Sequence, residues 1–255
     1  MSSSEGKIVG VSFFGLVFGI FWFFNGFRLW RRKLLIDNTP TSKIRSLAMG
    51  FVEVYGKAIK SQYSFKSPFT NSDCVYYRYS IEEYRKQGKS SKWVMIKQDS
   101  KLDYFYLQDD TGMVLVDTNG AEIDIPADYE FETGIGRQIP SPISNFLKTE
   151  NIDSKGFFGF NKKLRFREYY IAPNDMLYVM GTADDNPFVK EASSEKNEAD
   201  IMIQKGKHQK FYYISDRAEK EILASLKWKI ILGIFGGGVL AVACLAFIFV
   251  YFGML

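Results

Sequence analysis

Cysteine and histidine are nearly missing from this chain: 255 residues carry two cysteines, Cys74 and Cys244, and one histidine, His208. Too few thiols are present for a disulfide framework, and only a link between two copies through Cys74 stays open. A structural zinc site needs four Cys or His ligands. A histidine dyad or triad has no basis either, because His208 lies in the polar turn Gly206-Lys207-His208-Gln209-Lys210. Cys74 opens an apolar strand beside Asp73, whose charge raises a thiol pKa and makes the group inert. No basic stripe accompanies the net charge of +4, which excludes nucleic acid as a partner. No glycine-rich phosphate loop occurs, since Gly236-Gly237-Gly238 falls inside an apolar run. Asp109-Asp110 and Asp184-Asp185 are turn pairs, and Asp117, Asn119, Glu122 and Asp124 lack the spacing of a calcium loop. The sequence therefore assigns no catalytic residue, no cofactor and no metal ligand.

Charge is also absent from two long stretches, and these decide the class. Ile8 to Phe27 holds twenty residues without a charge, thirteen of them Ile, Val, Leu or Phe. A bilayer core needs about 20 helical residues, and those thirteen contribute about −4 to −8 kcal/mol toward insertion. The run is too long for a secretory signal and no small-residue cleavage site follows it. Ile230 to Leu255 gives 26 further uncharged residues. The expected organisation is a transmembrane helix over 8–30, a linker and short helix over 31–48, a β-rich domain over 49–214, a juxtamembrane helix over 215–229 and a second transmembrane helix over 230–255.

Arg28, Arg31, Arg32 and Lys33 follow the first run, and Lys227 and Lys229 precede the second. The positive-inside rule places the domain in the cytoplasm with both termini outside. Trp22, Trp30 and Trp228 read as aromatic anchors, with Trp30 and Trp228 at one interface. Gly15 and Gly19, and Gly233 and Gly237, stand at the G-x-x-x-G spacing that lets helices approach closely. Glycine is common in membrane helices, so the spacing is either incidental or a contact that brings together the two spans or two copies as a homo-oligomer.

Between the runs, Asp37-Asn38-Thr39-Pro40-Thr41 is a turn-rich linker, and Thr41 or Ser42 caps a short helix from Lys43 to Ala48. From Gly50 the period is two: Val52 and Val54 alternate with polar neighbours, as do Val75 to Glu82. Strands are expected at 93–97, 104–108, 113–117, 122–125, 164–171, 176–180, 201–204 and 211–214. Thr118-Asn119-Gly120 predicts a tight hairpin, and the series reads as a meander closing into a barrel-like α+β domain. A helix is expected from Ser141 to Thr149. Phe157, Phe158 and Phe160, in the loop after it, either cap the barrel or join Trp30 and Trp228 as membrane-interface residues. Ala192 to Asp200 reads as a mobile loop. Asp216 and Glu219 form a capping-box-like start for a helix that continues into the second span.

The segments Arg45-Ser46-Leu47-Ala48-Met49-Gly50, Val52-Glu53-Val54 with Gly56, Asp73-Cys74-Val75-Tyr76-Tyr77 and Tyr212-Tyr213-Ile214-Ser215 carry a resemblance. With the flanking spans, the chain resembles the membrane-side domain of GIDE or MULAN type ubiquitin ligases, also called the BAM ("beside a membrane") domain. The resemblance implies a prokaryotic-like member lacking the RING finger, because a RING takes eight zinc ligands. In mitochondrial members the domain faces away from the cytosol, whereas the local charges here place it in the cytoplasm. The functional expectation is a membrane-anchored protein-interaction or scaffold domain, with the lipid bilayer and a protein as partners and no catalysis of its own. The alternatives are a ubiquitin-ligase-like enzyme and a lipid or small-molecule sensor.

Overall fold

The computed structural model describes residues 3–60, 65–134, 136–153, 162–189 and 200–253. The chain divides into a helical unit, Met1–Pro40 with Ala218–Leu255, and a β-rich unit, Thr41–Arg217.

In the helical unit, α1 spans Ser3–Asn38. It stops where Pro40 disfavours helix in the residue before it, and Thr39 closes the end by donating its hydroxyl to the Leu35 carbonyl at 2.8 Å. The second helical stretch comprises α3 (Glu219–Ile231), a π turn (Leu232–Gly236) and α4 (Gly237–Tyr251). The expected capping box does not form: Ala218 is the N-cap, without a side-chain bond. Both stretches are long and apolar enough to cross a membrane.

The two helices meet along a glycine seam. A Cβ on Gly19 would lie 2.9 Å from the Gly237 carbonyl oxygen, and one on Gly233 would lie 2.9 Å from Gly26 Cα. Backbones at such separations leave no room for a side chain, so these positions need glycine. Gly15, Gly19, Gly233 and Gly237 thus all belong to the contact between the two helices of one chain.

The β-rich unit begins with a single 3₁₀ turn, Ile44–Ser46, in place of the expected helix over Lys43 to Ala48. The Ile44 N–H donates to the Asp109 carboxylate at 3.0 Å and Leu47 is extended, so the chain is drawn out before a helix propagates. The strands are β1 (Gly50–Ile59), β2 (Phe65–Lys66), β3 (Asp73–Cys74), β4 (Tyr76–Gln87), β5 (Ser90–Lys101), β6 (Tyr104–Gln108), β7 (Met113–Asp117), β8 (Glu122–Asp124) and β9 (Tyr129–Glu132). After α2 (Ser141–Thr149) follow β10 (Leu164–Ile171), β11 (Met176–Asp185), β12 (Ile201–Gln204) and β13 (Tyr213–Ser215).

Strands β1, β6, β7, β12 and β11 pair in that order, and β11 returns to β1, closing a five-stranded barrel. Its interior is filled by Val54, Phe105, Leu107, Val116, Leu177, Val179 and Ile203 among others. The domain is barrel-like, as expected, but it is not a meander. β12 runs parallel to β7, and β13 runs parallel to β8. The Asn119-Gly120 turn makes no hairpin, because β7 and β8 do not pair with each other. Gly120 has φ +76° while Asn119 is not among the residues with positive φ, so the two-residue turn that joins paired strands is not formed. The chain instead leaves the barrel there.

A second sheet, in the order β5-β4-β10-β9, carries α2 on one face. Ile81, Leu164 and Phe166 from the strands pack with Ile143 and Leu147 of α2 around Phe69. Strands β4 and β5 run on past this core as a long hairpin with Gly88 at φ +60°. Gly-Lys at the two central positions suits that turn, and it is the signal that extends the pair beyond the expected Val75 to Glu82 and Trp93 to Lys97.

Candidate functional site

Among the described residues of the β-rich unit, the buried acids Glu53 and Glu168 and the buried thiol of Cys74 are engaged in holding the fold. Glu53, 1% exposed, accepts hydrogen bonds from the Tyr178 and Thr41 hydroxyls, each at 2.6 Å. Glu168, fully buried, accepts from the Phe69 and Thr70 backbone N–H groups and the Thr70 hydroxyl. Cys74 is buried, and its thiol is pushed up to about 12 by burial and then by the Glu168 and Asp73 charges. Such a thiol is no nucleophile, and it is also out of reach of a surface label. Cys244 lies on the apolar helix against Gly15, and His208 is exposed in its turn. Zinc is the metal that a RING would bring, and the donors do not fit it. Among the described residues no group of three His, Cys, Asp or Glu side chains is placed to hold a metal ion.

Of the candidate interface residues, Trp30 and Trp228 are 44% and 67% exposed on the helical unit. Phe157, Phe158 and Phe160 lie outside the described residues, as does the loop expected from Ala192 onward.

The surface with the most chemistry is the face of the four-stranded sheet opposite α2. Period-two geometry sends Leu164, Phe166 and Glu168 of β10 toward the core and Arg165 and Arg167 outward. Arg165 stands opposite Glu82 of β4 on one side and Glu132 of β9 on the other, while Arg167 stands opposite Glu130. The guanidinium of Arg165 bonds Glu132 at 2.7 Å, and that of Arg167 bonds Glu130 at 2.8 Å and Glu82 at 3.3 Å. This row continues into aromatics: Arg165 lies 3.9 Å over the Trp93 ring, and Trp93 meets its cross-strand partner Tyr84 at 5.1 Å. Lys163 sits 4.7 Å over Tyr84.

Glu82 and Glu130 also lie 3.6 Å from Arg165, so each of these two carboxylates sits between both guanidiniums and limits their rotamers, and the aromatic pair is presented on a stiff polar frame. Beyond it, the hairpin carries Lys86, Lys89 and Lys92, none of which has a carboxylate partner among the described residues. The sequence pattern gives strands at 75–82, 93–97 and 164–171 but not the strand Tyr129–Glu132, and so not the face they build together. Its signal is a pair of matching patterns, Tyr129-Glu130-Phe131-Glu132 against Leu164-Arg165-Phe166-Arg167, acids facing bases at the same period.

The fold is thus a five-stranded barrel and a helix-backed sheet in one β-rich unit, in a chain that also holds two apolar helices long enough to span a bilayer. A family model described as "GIDE: E3 Ubiquitin ligase" matches residues 76–247. The chain therefore belongs to the GIDE family. No curated protein and no solved structure matches it in the corresponding searches.

Proposed function

We propose that this chain is a membrane-anchored protein-interaction module without ligase chemistry of its own, and that its docking surface is the Trp93-Arg165 face. The observation that carries this reading is the Arg165 guanidinium stacked on Trp93 at 3.9 Å and held by Glu132. Tryptophan, tyrosine and arginine dominate interface hot spots, because they offer large contact area and rigid hydrogen-bonding geometry. The unpaired Lys86, Lys89 and Lys92 select a partner with an acidic surface beside its apolar contact. Two cysteines and one histidine do not supply the eight ligands of a RING.

The test places a photo-crosslinking residue at Met95, the exposed cross-strand partner of Glu82 on this face, and another at Phe188, away from the face, in the full-length protein in its native membrane. Docking at the face gives one protein adduct at the first position only, lost in the combined Lys86→Glu, Lys89→Glu and Lys92→Glu variant with an unchanged melting temperature. Equal adducts at both positions overturn it. The family description favours a second reading, ubiquitin transfer. Stoichiometric zinc in the purified protein, with transfer that a chelator abolishes, would establish that reading and displace ours.

The six cations flanking the apolar runs support a cytoplasmic domain with both termini outside. Cys74 is too buried to report on this, so the probe belongs at the hairpin tip, as Lys89→Cys with Cys74→Ser and Cys244→Ala. An impermeant maleimide leaves intact cells unlabelled if the domain is cytoplasmic. Labelling of intact cells places it outside.

A further inference from the structure

The glycine seam fixes more than the distance between the two helices, because it also sets their register. Gly26 lies against Gly233, and Gly15 lies against Cys244. Eleven residues of α1 are thus matched by eleven of its partner, running in the opposite direction. The same register carried past Gly26 brings Arg28 to Lys33 level with Ile231 down to Leu226. The cationic segments of the two helices, far apart in sequence, come to one height.

That band holds Arg28, Arg31, Arg32 and Lys33 from α1 and Lys227 and Lys229 from α3, with Trp30 and Trp228 between them and no acid in either segment. Arg28, Arg31, Lys227 and Lys229 are exposed and have no carboxylate partner among the described residues. Lys33 is paired with Asp37 one turn further on. Arg28 and Arg31 are neighbours on one face of α1, where like charges repel. The band begins one residue beyond the uncharged run, at the depth where phosphates of a bilayer lie.

We propose that this belt is a binding site for anionic phospholipid headgroups, with the guanidiniums taking the phosphodiester and the two tryptophans seated at the headgroup boundary. Guanidinium groups match phosphate oxygens two at a time, and indoles with one polar edge prefer that boundary. Choline-headed lipids carry their own cation and neutralise the belt poorly. The proposal rests on the reading that both helices span the bilayer.

The test uses the full-length protein with Trp22→Phe and Trp93→Phe, so that Trp30 and Trp228 alone fluoresce, in phosphatidylcholine vesicles. Brominated phosphatidylglycerol is compared with brominated phosphatidylcholine as quencher at equal mole fraction. We expect the anionic lipid to be preferred about tenfold or more, since each cation near the surface strengthens anionic binding severalfold. Combined Arg28→Gln, Arg31→Gln, Lys227→Gln and Lys229→Gln should bring the ratio near one while the protein stays in the carbonate-washed pellet. Equal quenching by both lipids in the parent protein overturns the proposal, as does a preference that survives the four substitutions. Relief of quenching by millimolar inorganic phosphate identifies a free-phosphate site instead. Release of the parent protein by carbonate refutes the spanning reading itself, a separate failure from absent lipid preference.

Discussion

Thr70 donates twice to Glu168, from its backbone N–H at 3.2 Å and its hydroxyl at 2.6 Å, although the two residues lie 98 positions apart. With the Phe69 N–H at 2.5 Å, these bonds pin the Ser67–Ser72 loop against β10, and Phe69 beside it fills the core between sheet and helix. Replacing Glu168 by Ala strands three donors in a buried place. Each buried group left unmet costs about 1–3 kcal/mol, so a loss of about 3 kcal/mol or more is expected. Thermal melting of the full-length protein in detergent should show it, and an unchanged midpoint would refute the assignment. Glu168→Gln should fall between, because the amide keeps one acceptor and turns a donor toward donors.

The barrel forks at Gly181. β11 pairs with β13 through Tyr178 to Met180 and with β12 from Thr182 onward, and Tyr212 lies in the fork. A Cβ on Gly181 would come within 2.8 Å of the Tyr212 ring and 2.9 Å of the Ile203 side chain. The Tyr212 hydroxyl is held by the Asp117 carbonyl, so the ring cannot move away freely. Gly181→Ala should destabilise by about 1–3 kcal/mol as an overpacked site. Gly134→Ala, with nothing within 4 Å of the new carbon, serves as the control and should melt like the parent.

Asp109 gives a pH dependence of known sign. Burial raises its carboxyl, but hydrogen bonds from the Thr111 hydroxyl and from the Ile44, Thr111 and Gly112 N–H groups outweigh that and leave it below the usual range. The folded state therefore binds this proton less readily than the unfolded chain, whose value is about 3.9. The stabilisation is fully present above that value and is lost as pH falls through the lower folded one. Asp109→Asn should melt below the parent at pH 7, and the gap should narrow below about pH 4. A gap that stays constant from pH 7 to 3 would remove the charge from the explanation.

The seam between the helices has a covalent test. A Cβ at Gly15 would lie 2.7 Å from the Cys244 sulfur, close to the separation across a disulfide. With Cys74→Ser in place, Gly15→Cys should oxidise to a monomeric product that maleimide no longer labels. A dimeric product would mean that the glycines join two copies.

Composition and period alone determined a good part of this protein. Uncharged length marks both apolar helices, because hydrocarbon admits few charges whatever the rest of the chain does. Ser141–Thr149, Leu164–Ile171 and Ile201–Gln204 stand where local pattern put them, since alternation or helical spacing suffices for an element with one buried face. Pairing is different. The β1–β11 closure, the parallel β7–β12 and β8–β13 contacts and the fork at Gly181 depend on which strand edges remain open after others have paired. Asn119-Gly120 shows the limit: the turn forms, but what it joins is decided elsewhere. The sites follow the same division. That Arg165 and Arg167 alternate with apolar residues is local, whereas the meeting of Arg165 with Trp93 and Glu132 across three strands required the sheet. The common height of the two cationic helix segments required backbones close enough for glycine to meet glycine.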